Sequence, residues 1–136
     1  MRCRRLQSDN EKQIKIELIS NDGENISRSG HNGSIKSADD KHMLRYVDEQ
    51  GIKTSVMLKS DAVHVFRSGV GVDHHIEIRQ NEKTVGIMGA SPFSVDGRRC
   101  EWQYDGGSGE IRLCYTLPDI SDSPLDFNIR IKFTVI

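Results

Sequence analysis

The chain has 136 residues, the length of one domain. Its 19 Lys and Arg stand against 20 Asp and Glu, a formal net charge of -1, and that balance excludes the basic excess of a general nucleic-acid binder. Apolar residues make up 35% of the chain and occur in runs of only a few, so no stretch is long enough to span a bilayer as a helix and no membrane partner is expected.

Met1-Arg2-Cys3-Arg4-Arg5 is basic, but Leu6-Gln7-Ser8-Asp9 follows where a secretory signal needs an apolar core. Residues 1–12 are therefore expected to form a disordered leader and residues 13–136 a single domain. The three cysteines are odd in number and lack CxxC spacing, which fits a reducing, cytoplasmic setting better than a disulfide framework.

Beyond the leader the pattern is apolar alternation with period two, broken by turn residues every eight to twelve positions or so. Ile14, Ile16 and Leu18 alternate with Lys15 and Glu17 up to Asn21-Asp22-Gly23. A weak strand starts at Ile26 and runs irregularly to Ile35; another covers His42 to Val47. Ile52, Thr54, Val56 and Leu58 then share one face, and Val63 to Ser68 and Val72 to Arg79 flank Gly69-Val70-Gly71. Thr84 to Gly89, Val95 to Tyr104 and Glu110 to Leu117 follow. After a loop bounded by Pro118 and Pro124, Leu125, Phe127, Ile129, Ile131, Phe133 and Val135 alternate most clearly of all.

No segment sustains helical spacing. Short strands with one apolar face and tight polar turns predict an all-β antiparallel meander. The expected architecture is a closed up-and-down barrel of eight to ten strands, because closure removes exposed edges; a β-sandwich is the alternative. Reading Gly69-Val70-Gly71 as a three-residue loop sets Ser68 opposite Val72 and Arg67 opposite Asp73. It also collects His64, Phe66, His74 and Ile76 on one face, with Arg67, Val63 and Val65 on the other.

Leu44-Arg45-Tyr46-Val47-Asp48-Glu49, Lys53-Thr54-Ser55-Val56-Met57-Leu58, Val65-Phe66-Arg67-Ser68-Gly69 and Ser91-Pro92-Phe93 together resemble the YwiB-like family, small bacterial proteins of uncharacterised function. The family pattern falls at Tyr46, at Thr54, at Arg67 with Gly69, and at Ser91-Pro92-Phe93-Ser94. There the family has Thr-Pro-Tyr-Gly, so this chain lacks the phenol. The resemblance implies a lipocalin-like (calycin) closed barrel and carries no activity with it.

Candidate ligand-binding residues are Arg67, Tyr46, Trp102, His64 and His74. If the Arg67 face is the lumen, its guanidinium needs Asp73, Glu77 or an anionic ligand; if it is the outer wall, Arg67 and Asp73 form a solvated pair of little energetic weight. Tyr46 and Trp102 are possible pocket walls. His64 and His74 on neighbouring strands could begin a zinc site, but no third ligand converges on them, so no metal is assigned and packed histidines are the preferred reading. His31 and His42 show no partner. Cys100 and Cys114 flank the Asp105–Gly109 turn; matching apolar faces sets Trp102 with Leu113 and leaves both thiols free.

No acid, base and nucleophile set can be assembled, and no cofactor motif is present. The expected function is non-catalytic binding of a small molecule in the barrel interior. The alternative is a structural or protein-interaction module whose barrel is packed solid.

Overall fold

The computed structural model describes residues 11–22 and 25–136. Ten antiparallel strands form one closed up-and-down barrel, as the alternation predicts, and the sandwich alternative is discarded. In chain order they are β1 (Glu11–Asn21), β2 (Ile26–Ala38), β3 (Lys41–Val47), β4 (Lys53–Leu58) and β5 (Val63–Gly69), then β6 (Val72–Ile78), β7 (Lys83–Met88), β8 (Ser91–Tyr104), β9 (Ser108–Leu117) and β10 (Leu125–Val135). Glu11 and Lys12 already pair with Lys36 and Ile35, so the strand begins inside the stretch expected to be leader. Residues 1–10 of that leader, and Cys3 with them, lie outside the described residues.

Each strand pairs with its neighbours in the chain, and β1 closes on β10 from Ile14↔Val135 to Asn21↔Asn128. One end of the barrel therefore carries the β2–β3, β4–β5, β6–β7 and β8–β9 turns, and the other carries the remaining turns and the Pro118–Pro124 loop. We call these the floor and the mouth.

Alternation puts one set of side chains inside. In the floor half that set is solid: Ile14, Ile35, Leu58, Val63, Ile78 and Ile111 are sealed from solvent. Each such side chain contributes about 1.5–3 kcal/mol through burial. Phe133 lies over the bare backbone of Gly109, its partner across β9–β10; a Cβ there would sit 2.2 Å from the ring. Trp102 donates its indole N–H to the Lys59 carbonyl at 2.7 Å, tying β8 to the β4–β5 turn. The His42 ring meets Trp102 and Tyr104 edge-on at 5.4 and 5.1 Å, and the Ser37 hydroxyl bonds its Nδ1 at 2.6 Å. His42 thus has partners that its sequence neighbourhood did not reveal. Burial pushes its pKa down, against the pull of Asp40.

Two registers differ from expectation. At the β5–β6 hairpin Gly69 pairs with Val72 and Arg67 with His74, leaving a two-residue turn, Val70-Gly71. Only Gly71 takes a positive φ (74°); Gly69 stays in the strand, so the three-residue loop was one residue too long. The slip transfers every β6 side chain to the opposite face. His74, Ile76 and Ile78 join Val63, Val65 and Arg67 inside, and His75 joins His64 and Phe66 outside, which corrects the expected grouping of His64 with His74. Asp73 and Glu77 go to the outer wall and are not partners of Arg67.

In β8 a bulge between Gly97 and Arg99 reverses the alternation. Val95 and Gly97 face inward before it; Cys100, Trp102 and Tyr104 face inward after it. Trp102 is opposite Ile111 rather than Leu113, and Cys100 is opposite Leu113. Cys100 and Cys114 consequently point to opposite sides of the wall, and both are free thiols.

The floor predicts a sharp contrast in urea unfolding. Phe133→Ala should cost about 3–5 kcal/mol. Val85→Ala, at a side chain 63% exposed on β7, should stay within about 0.5 kcal/mol. Equal effects would contradict the packed floor.

Candidate functional site

The mouth half is not filled. Across five neighbouring strands one rung reads Tyr46↔Thr54↔Arg67↔His74↔Met88, each residue directly opposite the next. Opposed residues share a face, so the rung forms a largely polar inner band running from β3 to β7. Gly33 of β2 is opposite Tyr46 and has no side chain to crowd it; a Cβ there would lie 2.2 Å from the Arg45 carbonyl oxygen. Facing the band are Leu113, Tyr115 and Leu117 of β9 with Phe127, Ile129 and Ile131 of β10. Between them lies a cavity of about 600 Å³.

Three of the five candidate residues, Tyr46, Arg67 and His74, line this cavity. Trp102 faces inward but belongs to the floor. His64 is on the outer wall, with its Nδ1 3.1 Å from Nε2 of His75 and the His75 ring stacked on Phe66 at 4.3 Å. Burial lowers the His64 pKa, partly opposed by Glu77. Among the described residues no third His, Cys, Asp or Glu joins that pair in a metal-holding group.

The remaining lining escaped the reading of the sequence. His31 stacks on Tyr46 with centroids 4.5 Å apart and hydrogen-bonds the Ser29 hydroxyl through Nε2 at 3.0 Å, so it too has partners. Tyr115 stacks on Phe127 at 5.2 Å, and Phe93 lines the wall from β8. The signal for Tyr115 was present, since it alternates in register with Ile111, Leu113 and Leu117. What periodicity could not say is that its rung opens onto space.

Two phenols and one guanidinium set the electrostatics. Burial pushes the Tyr46 pKa up, countered by a hydrogen bond with Thr54 and by the charge of Arg67. Tyr115 is pushed up to about 12 by burial, against the same guanidinium acting across the lumen. Both phenols therefore keep their O–H donors at neutral pH.

Most arginines of the outer wall are paired, Arg28 and Arg45 being without an ion pair among the described residues. Arg79 pairs with Asp61 and Glu77, Arg98 with Asp126, Arg99 with Glu101, and Arg112 and Arg130 share Glu110. Arg67 has no such ion pair among the described residues. Asp48 also lines the cavity, but its Oδ1 accepts the backbone N–H groups of Gln50 and Ile52 at 2.9 and 3.0 Å, holding the β3–β4 turn.

The crystal structure of the YwiB protein from Bacillus subtilis matches this barrel with a TM-score of 0.73 over 96% of this chain and 98% of that one. The fold is YwiB-like. Sequence identity is 20%, so the likeness concerns the fold alone. No family model matches the chain, nor does any curated protein. Of the residues through which the sequence resembles the YwiB-like family, Tyr46, Thr54, Arg67 and Phe93 all line the cavity.

The phenols give the site a spectroscopic handle. Tyr115 has its pKa raised from 10.0 to about 12. The native state then holds this proton more tightly than the unfolded chain, so stability is fully present below about pH 10 and is lost as pH climbs toward about 12. Tyrosinate absorbance at 295 nm should show its last step near pH 12, and Tyr115→Phe should remove that step. A titration of all three tyrosines together near pH 10 would refute the buried placement.

Proposed function

We propose that this protein is a non-catalytic binding barrel that takes one small molecule through its mouth, in the manner of the calycin barrels its sequence resemblance implies. The observation that carries this reading is the division of the interior. The floor is packed to exclusion, whereas the mouth half keeps a cavity of about 600 Å³ between an apolar wall and a polar band. Ligand sites of roughly 300–1,000 Å³ with apolar linings and a few placed polar groups are the common pattern. A ten-stranded barrel is also wide enough to hold one such molecule without becoming a channel. The free thiols of Cys100 and Cys114 support a reducing, cytoplasmic setting. A near-neutral charge balance speaks against nucleic acid as the partner.

The rival, a solid structural barrel, draws on the sealed floor. A neutral environment-sensitive dye, N-phenyl-1-naphthylamine, separates the two. It should fluoresce on binding the wild-type protein, and Ile129→Trp, which fills the cavity from the β10 side, should abolish the signal with the β-sheet spectrum unchanged. A ligand at a hundred times its Kd should raise stability by about 2.7 kcal/mol and lift the unfolding midpoint by several degrees. Silence of the dye together with an unmoved midpoint across a metabolite and lipid panel would favour the solid barrel.

A further inference from the structure

Resting on the binding reading above, we propose that the cavity's ligand is a monoanionic amphiphile, a carboxylate on a slender apolar body, with the carboxylate held by Arg67 and the body lying along Leu117, Phe127 and Ile129.

Arg67 is partly buried on the inner face near the mouth, where its charge is met by solvent or by a bound anion. The carboxylates that pair arginines among the described residues sit on the outer wall or, for Asp61, in the β4–β5 turn. The one carboxylate among the described lining residues, Asp48, uses Oδ1 to hold its turn and makes no ion pair with Arg67. Near the guanidinium the structure supplies phenol donors, Tyr46 along the same rung and Tyr115 from the facing wall, with the His74 ring directly opposite and the Thr54 hydroxyl already bonded to Tyr46. Planar N–H donors beside O–H donors form a carboxylate receptor, since the carboxylate accepts from both in one plane. The opposite wall carries no charge, which suits a body rather than a second headgroup. The lining holds one guanidinium as its fixed positive charge, with the His31 and His74 imidazoles beside it and Asp48 at the rim, which matches one negative charge and so a carboxylate better than a phosphate monoester.

Displacement of N-phenyl-1-naphthylamine by three twelve-carbon probes tests this. Dodecanoate should displace the dye about tenfold or more better than dodecan-1-ol, the span of a charge-assisted hydrogen bond. It should also compete better than dodecyl phosphate. In Arg67→Met dodecanoate should weaken by about tenfold to a hundredfold while dodecan-1-ol changes little, and Arg67→Lys should keep part of the preference. The wild-type comparison stands even if the Met variant does not fold. Equal displacement by acid and alcohol overturns the carboxylate but leaves the cavity reading intact. Preference for dodecyl phosphate overturns the single-charge argument. Failure of the dye to bind, together with an unfolding midpoint unmoved by all three probes and the panel, overturns the cavity reading and this inference with it.

Discussion

Closure of β1 on β10 is the constraint from which the other features of this barrel descend. Eight consecutive rungs, Ile14↔Val135 through Asn21↔Asn128, leave no free edge and create an inside. Once there is an inside, period-two alternation stops being a surface pattern and becomes an assignment of each residue to lumen or wall. Arg67 and Glu77 differ in fate for this reason alone. The first falls on the inner parity of β5 and the second on the outer parity of β6.

Inside the barrel, side-chain size decides what is filled. Phe133, Trp102 and Tyr104 converge at the floor, and Gly109 yields its place to the Phe133 ring. On the band toward the mouth stand Gly33 and Thr54, which fill less volume than their rung can hold. Aromatic rings on the far side, Tyr115 and Phe127, stack on each other rather than reaching across. Packed core and open cavity are thereby separated along the barrel axis, with the hydrophobic burial concentrated at the floor.

Much of this was legible in the residues. A meander of eight to ten strands, most of the turns between them and the grouping of Arg67 with Val63 and Val65 follow from periodicity, the Ile26–Ile35 segment being the irregular one. The errors have local causes. Gly69 and Gly71 both looked like loop glycines, but only Gly71 needs a positive φ, and the one-residue difference moved His74 into the cavity and separated it from His64. The bulge at Arg98 left no mark in the apolar pattern, because Gly97 and Arg98 are compatible with either face. Tyr115 and His31 were missed for a different reason. Alternation reports that a side chain points inward and is silent on whether packed neighbours or open space meets it there; that depends on strands far apart in sequence.

The same distinction accounts for how a barrel superposing over 96% of the chain can coincide with YwiB at only 20% identity. The floor requires apolar residues of about the right volume at inward positions, a condition many sequences satisfy. The polar rung is more particular: Arg67, which makes no ion pair among the described residues, lies on it opposite Thr54 and His74, and Gly33 stands opposite Tyr46 at its β3 end. Such an arrangement does not follow from the need to close a barrel, since an apolar residue at position 67 would close it as well.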